Sequence, residues 1–163
     1  MPPQIKPPNQ AVPEMVGATD TPFYLDKSNK IITIALHQPT GPALARSAVN
    51  QLRVTLNVEN ITSDQSAPVY EVYLNIPAGV PPKNHPELLV GTLPMFGVEE
   101  TSRPDNKHPG NGMNYRLDAT AVYARLFTAK DWDPTRLRVT FVPSGLVDWN
   151  PSVKVGRVSI FFW

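Results

Sequence analysis

The sequence has no cysteine and only three histidines in 163 residues. The lack of cysteine excludes disulfides, zinc–thiolate centres and cysteine nucleophiles. His37, His85 and His108 would suffice for one mononuclear metal site, and the last two lie in loops rich in proline and asparagine. Loop histidines that each precede proline are more often solvated turn residues. We therefore predict that this chain binds no metal or other cofactor.

Other catalytic patterns are also missing. The stretch "PSGLV" lacks the Gly-x-Ser-x-Gly elbow of a serine nucleophile and has no histidine nearby. The acidic pairs Glu99 with Glu100 and Asp131 with Asp133 lie in polar segments, which is typical of surface or helix-end carboxylates rather than of a general acid and base. The chain alone is therefore predicted to have no catalytic residues.

Charge and hydropathy exclude several partners. Fifteen basic residues stand against fourteen acidic ones, and they form no basic run. This balance predicts neither nucleic acid nor a membrane surface as a partner. No apolar segment approaches the roughly 20 residues that span a bilayer, and the stretch "MPPQIKPPNQ" lacks signal-peptide order. A soluble chain is predicted, and its compartment stays open.

Proline is abundant and unevenly distributed. Five of the nineteen prolines fall within residues 1–13, and most of the others lie in turn-like stretches between apolar runs. Proline fixes φ and disfavours helix in the residue before it. We therefore predict a linker or tether at residues 1–13 and one domain at residues 14–163, which is long enough to bury its own core.

Apolar alternation predicts strands along most of that domain. "LRVTLNV" and "RLRVTFV" alternate strictly, and "VYEVYLNI" is mainly β-branched or aromatic. The predicted strands, the last three from weaker patterns, are Leu52–Val58, Val69–Ile76, Arg136–Val142, Ile31–Leu36, Leu88–Phe96 and Asn114–Asp118.

The final run, "VKVGRVSIFFW", changes its alternation midway. Val153 and Val155 share one parity, whereas Val158, Ile160 and Phe162 share the other. A uniform strand would turn one of these sets outward, so we predict an interior position for the second set and a bulge at the intervening Gly156.

Only "DATAVYARLFTAKDW" has a helical pattern. Thr120 is its predicted N-cap, and Val122, Tyr123, Leu126 and Phe127 form its apolar stripe. About seven short strands with one brief helix predict an all-β fold, an antiparallel sandwich or barrel.

Several of these stretches, in this order, resemble the C-terminal domain of tyrosinase and polyphenol oxidase proteins. They are "VYEVYLNIPAG", "ELLVGTLPMFGVEE", "LRVTFVP" and "VKVGRVSIFFW", and "VPEMVGATDTPFYL" is similar to the stretch that leaves the copper domain in bacterial members. The resemblance runs from Pro13 to Trp163. It implies a covering domain that packs over a binuclear copper site and restricts substrate access.

In that family two coppers are held by six histidines on a helical bundle, and three histidines cannot supply this set. The resemblance therefore places copper in a partner domain, of the same precursor or on a separate chain. It also implies a loop side chain that occupies the substrate entrance. Phe96, Met113 and Leu146, each next to turn residues, are the candidates for this plug.

Two other functions remain open from the sequence. A β-sandwich can serve as an independent binding module for carbohydrate or protein, with Trp132, Trp149 or Tyr115 as an exposed aromatic platform. A transient copper carrier would use Met95, Met113 and His108 as soft ligands.

Overall fold

The computed structural model describes residues 12–40, 52–107, 109–145 and 149–163, and these ranges form an antiparallel β-sandwich. It contains nine strands within the described ranges, two more than the sequence predicts. They are β1 (Glu14–Ala18), β2 (Phe23–Leu25), β3 (Lys30–Ala35), β4 (Val54–Thr62), β5 (Tyr70–Leu74), β6 (Leu89–Leu93), β7 (Met113–Asp118), β8 (Arg136–Pro143) and β9 (Val153–Phe162).

The strands form two sheets. In the first sheet the order is β1-β9-β4-β7, and β2 also pairs with β9. In the second sheet the order is β3-β8-β5-β6. All pairings are antiparallel, and β9 lies at the centre of the first sheet, where it pairs with β1 and β2 along one edge and with β4 along the other. The predicted all-β sandwich is confirmed.

The core lies between the inner faces of the two sheets. In β4 the alternation of the sequence is kept, because Val54, Leu56 and Val58 are buried and the residues between them are only half-buried. In β8, Leu137, Val139 and Phe141 are fully buried in the same way. Removing such apolar surface from water is the main favourable contribution to folding.

The predicted change of face in β9 is present, and it occurs in β4 at the same level. Val153 and Val155 are fully buried, and so are Val158 and Ile160 on the other parity. Opposite Gly156 lies Asn60, whose φ of 54° is left-handed. The predicted bulge at Gly156 is wrong, because the β4–β9 register stays in step through this point. The irregularity lies instead between Val58 and Ile61, where β4 pairs with β7.

A glycine is required at this point because the two strands approach closely. A Cβ on Gly156 would lie 2.7 Å from the Cβ of Asn60, a separation that real Cβ atoms essentially never show. The switch thus depends on the pairing of a left-handed asparagine with a residue that has no side chain.

The helical prediction is partly wrong. The helix Thr120–Leu126 follows Ala119 as its N-cap, so Thr120 is its first helical residue. The Thr120 hydroxyl instead accepts a hydrogen bond from the Val54 amide at 3.0 Å, which ties the helix to β4. Val122, Tyr123 and Leu126 are buried as expected, but Phe127 is 58% exposed.

A second α-helix was missed. We name the four-residue helix Val98–Thr101 α1 and the helix Thr120–Leu126 α2. Two 3₁₀ turns, Pro82–Asn84 and Pro86–Leu88, precede β6. No helix within the described ranges is long and apolar enough to cross a membrane. The predicted linker at residues 1–13 falls almost wholly outside the described residues and stays a prediction.

Candidate functional site

Phe96 lies on the turn that joins β6 to α1, and its side chain is 97% exposed. Its neighbours Met95 and Val98 are buried, at 3% and 1% exposure. Sequence alternation extended this strand to Phe96, but β6 ends at Leu93 and the proline that follows cannot continue a ladder. The turn therefore presents an aromatic ring to solvent between two anchored residues.

The backbone of this turn is well held. Gly97 adopts φ 81°, a left-handed conformation that glycine accepts without strain. The Val98 amide donates to the Met95 carbonyl at 3.1 Å, and the Thr101 amide donates to the Gly97 carbonyl at 3.1 Å. The Tyr115 hydroxyl on β7 donates to the carbonyl of Pro94. These hydrogen bonds hold the backbone on both sides of Phe96 and so fix the point from which its side chain projects.

Two more exposed apolar side chains either line the surface depression that Phe96 lines or bond to a residue of it. Val69, which precedes β5, is 39% exposed and lines the same surface depression as Phe96, together with Ser66 and Ala67. Trp149 is 43% exposed, and its indole Nε1 donates to the Ser66 carbonyl at 2.9 Å. We call Val69, Phe96 and Trp149 the Phe96 patch.

Carboxylates border the patch on one side. Glu99 and Glu100, in the first turn of α1, line the same depression. A guanidinium nitrogen of Arg103 lies 3.8 Å from a carboxylate oxygen of Glu99. Glu100 forms no ion pair with a basic side chain among the described residues. The patch is therefore apolar at its centre and acidic at one edge.

The other two plug candidates have different environments. Met113 begins β7, is only half-buried, packs against the core cluster and pairs with Ile61 of β4. Leu146 lies outside the described residues. Of the three candidates, Phe96 is the one that the described structure presents almost wholly to solvent, and the plug role itself stays a prediction.

The histidines that the structure describes are separate from one another in their contacts. His85 Nδ1 lies 2.8 Å from a carboxylate oxygen of Glu87, and this hydrogen bond lowers the pKa of Glu87. His37 Nδ1 contacts the Gln38 carbonyl at 3.2 Å. His108 lies outside the described residues, and the rest of the described chain shows no group of three or more residues placed to hold a metal ion.

Asp133, one of the acidic residues considered in the sequence as a possible acid or base, has a structural role in a turn. Asp133 accepts hydrogen bonds from the backbone amide and the hydroxyl of Thr135, at 2.9 and 2.6 Å. These bonds lower the pKa of Asp133. This is a local turn before β8, as expected for a surface carboxylate.

The aromatic residues proposed as a platform differ in their exposure and contacts. Trp132 is half-buried and contacts the rings of Tyr123 and Phe127 edge-on. Tyr115 is half-buried and bonded to Pro94, whereas Trp149 belongs to the Phe96 patch. Met95, a ligand of the copper-carrier hypothesis, is buried.

Comparison with solved structures identifies the class of domain. The chain matches latent apple tyrosinase with a TM-score of 0.54 at 20% identity, over 86% of this chain and 27% of that one. It matches a latent aurone synthase, a polyphenol oxidase co-crystallised with hexatungstotellurate(VI), with a TM-score of 0.52 at 14% identity, over 88% of this chain and 25% of that one. The fold is that of the C-terminal β-domain of such proteins.

Sequence comparison gives the particular family. The family model described as "Domain of unknown function (DUF7868)" matches residues 12–162, and the chain belongs to that family. Tyrosinase HcTyr1 of Hahella sp. (strain CCB-MM4) is 27% identical over 159 residues, 94% of this chain. The chain spans 34% of the length of that relative. The resemblance to tyrosinase and polyphenol oxidase proteins is thus confirmed.

Proposed function

We propose that this chain is a non-catalytic covering domain, which packs over the binuclear copper site of a phenol-oxidising partner domain and restricts substrate access to it. The copper would be held by the partner, on histidines that this chain does not supply. The homology to a tyrosinase over 94% of the chain supports this assignment. The observation that carries it is the nearly complete exposure of Phe96 on an anchored turn.

An exposed phenylalanine forgoes the stabilisation that burial would give, and a partner that covers it can recover this energy. Full burial of such a side chain is worth about 1.5–3 kcal/mol. Phe96 gains little of this within the domain, although Met95 and Val98 on either side are buried. A flat aromatic ring that projects from a fixed backbone is well suited to an apolar cleft shaped for a phenol. Phe96 is therefore the proposed plug.

The rest of the Phe96 patch would contribute docking rather than blocking. Val69 and Trp149 are about 40% exposed, so much of each side chain is already packed within the domain. Together with Phe96 they would form the apolar surface that a partner covers. Because a few residues carry most of the energy of an interface, the plug and the docking residues are separable by mutation.

The experiment compares Phe96→Ala with Phe127→Ala as partners of the copper domain that belongs with this chain. Phe127 is a matched control, because it is also exposed and contributes to a different depression, with Leu36 and Phe162. We expect the unaltered chain to suppress catechol oxidation, Phe96→Ala to relieve suppression, and Phe127→Ala to leave it intact. Binding of each variant to the copper domain is measured by sedimentation or interferometry.

Two outcomes would oppose the proposal at different levels. If Phe96→Ala binds and suppresses as well as the unaltered chain, Phe96 is not the plug, and Met113 and Leu146 are tested next. If the unaltered chain binds without suppressing oxidation, covering the copper site is the wrong function for it.

A further inference from the structure

A second surface feature, which shares no lining residue with the Phe96 depression, is a polar cleft of about 310 Å³ on the first sheet. This volume lies at the lower end of the range for small-molecule sites, about 300–1,000 Å³. One exposed aromatic ring and several hydrogen-bonding side chains line the cleft: Tyr24, Thr62, Ser63, Asp64, Ser102, Arg103, Ser152 and Lys154.

The strand register explains how the floor and one wall are formed. Lys154 of β9 pairs with Tyr24 of β2 on one side and with Thr62 of β4 on the other. Thr62 has the same parity as the buried residues at the start of β4, and Lys154 has the same parity as those at the end of β9. In uniform strands, without the change of face at Asn60 and Gly156, both side chains would point into the core. The switch turns them outward, beside the ring of Tyr24, which is 59% exposed.

The opposite wall is fixed by hydroxyl groups. The Ser102 hydroxyl accepts a hydrogen bond from the Ser63 amide at 2.9 Å and donates to the Val98 carbonyl. The buried Ser63 hydroxyl lies 2.8 Å from the Gln65 carbonyl oxygen and 3.0 Å from the Ser152 carbonyl oxygen, and it donates its one proton between these two acceptors. The backbone around the cleft is therefore held before any ligand arrives.

The charged groups of the cleft are largely free. Within the described ranges, Asp64 and Lys154 have no hydrogen bond or ion pair through their side chains, and Arg103 contacts only Glu99, at 3.8 Å. Because Asp64 and Lys154 are exposed and hydrated, a ligand can displace water from them without breaking an internal bond.

We propose that this cleft binds a saccharide, with one sugar ring stacked on Tyr24. A pyranose has a face of C–H groups and a rim of hydroxyls. The face fits an exposed aromatic ring, and the hydroxyl rim fits the exposed donors and acceptors that line the cleft. Asp64 would accept from two adjacent hydroxyls, and Lys154 and Arg103 would donate to ring or hydroxyl oxygens.

The composition of the cleft argues against a simple anion site. Asp64 lies among the two basic residues and would repel a phosphate, whereas a carboxylate is a good acceptor for sugar hydroxyls. A bare anion would also make no use of the Tyr24 ring. The cleft and the Phe96 depression share no lining residue, although Arg103 of the cleft contacts Glu99 of the depression at 3.8 Å.

The test titrates the full chain with sugars and follows binding by saturation-transfer NMR and calorimetry. The probes are methyl glycosides of glucose, galactose, mannose, N-acetylglucosamine and galacturonate, their oligomers, and inorganic phosphate. The variants are Tyr24→Ala, Tyr24→Phe and Asp64→Ala, with Phe127→Ala as the exposed aromatic control outside the cleft. Circular dichroism and melting temperature establish that each variant is folded.

We expect at least one sugar to bind, with binding weakened about tenfold or more by Tyr24→Ala and by Asp64→Ala. Tyr24→Phe keeps the stacking ring and Phe127→Ala leaves the cleft intact, so both should bind within about threefold of the unaltered chain. The proposal is overturned if no sugar binds at roughly 20 mM, or if sugar binding is unchanged in both Tyr24→Ala and Asp64→Ala. Phosphate binding without any sugar binding would also overturn it.

Discussion

Replacing Ile160 with alanine tests whether β9 is the central support of the sandwich. Ile160 is 0% exposed and pairs with Leu56 of β4 on one side and Gly17 of β1 on the other. Ile31 offers a matched control on β3, the edge strand of the second sheet, because it is 61% exposed. The two variants remove the same atoms from opposite environments.

The expected magnitudes differ clearly. A buried isoleucine replaced by alanine loses about 2–5 kcal/mol, since the transfer energy of the removed atoms adds to the cavity left behind. For a domain of this length, 1 kcal/mol shifts the melting temperature by about 2–4 °C. Ile160→Ala should therefore melt about 4–20 °C lower, whereas Ile31→Ala should change the free energy of unfolding by no more than about 0.5 kcal/mol.

The assay is urea unfolding followed by circular dichroism, with thermal melts on the same samples. The urea midpoint should fall for Ile160→Ala with little change in the slope, which indicates lost stability rather than an altered unfolded state. Equal midpoints for the two variants would refute the placement of Ile160 in the interior of β9.

Two further predictions concern the backbone and alkaline stability. Gly112 and Gly79 both have positive φ, but a Cβ on Gly112 would lie 2.0 Å from the Ile61 carbonyl oxygen, whereas a Cβ on Gly79 would meet nothing within 4 Å. Both alanine variants would place a side chain on a backbone with positive φ, so this cost is common to the two. Chemical denaturation should therefore show a larger loss of stability for Gly112→Ala than for Gly79→Ala. Equal losses would contradict the close approach of Gly112 to β4. Burial raises the pKa of Tyr123 from 10.0 to about 12, so the folded state holds this proton more tightly than the unfolded chain. The stability that this raised pKa contributes is therefore present below pH 10 and is lost as the pH rises toward about 12. The variant Tyr123→Phe should lose less stability than the unaltered chain between pH 9 and pH 11. An unchanged dependence of stability on pH would count against burial of the phenol.

The fold was largely predictable because apolar alternation is a local signal. The strands around Leu56, Val72 and Val139 are visible in the sequence, and the parity change in "VKVGRVSIFFW" predicted the change of face near Gly156. The partner of that switch was not predictable. Asn60 lies almost a hundred residues earlier, and its left-handed φ depends on the pairing of β4 with β9 and β7.

The site was less predictable than the fold. In "LPMFGV" every large residue is apolar, so composition does not tell which side chain faces solvent. The left-handed Gly97 and the early end of β6 decide that Met95 turns inward and Phe96 outward. Thr120 was misassigned as a cap because its bond to Val54 joins positions 66 residues apart.

The polar cleft shows the same limit for Tyr24. This residue lies in a three-residue strand that carries almost no alternation signal. Its neighbours Lys154 and Thr62 come from strands distant in sequence, and only the sheet register brings the three together. A search for short sequence motifs cannot detect three residues that are brought together only by strand pairing.

The central claim is that the domain limits access to a partner's copper site. The most direct measurement is the rate of catechol oxidation by the copper domain that belongs with this chain, recorded at rising concentrations of this chain while their binding is measured in parallel. The account predicts that the rate falls as the complex forms and reaches a low plateau when the copper domain is saturated. A rate that stays constant while the two chains are fully bound would contradict it.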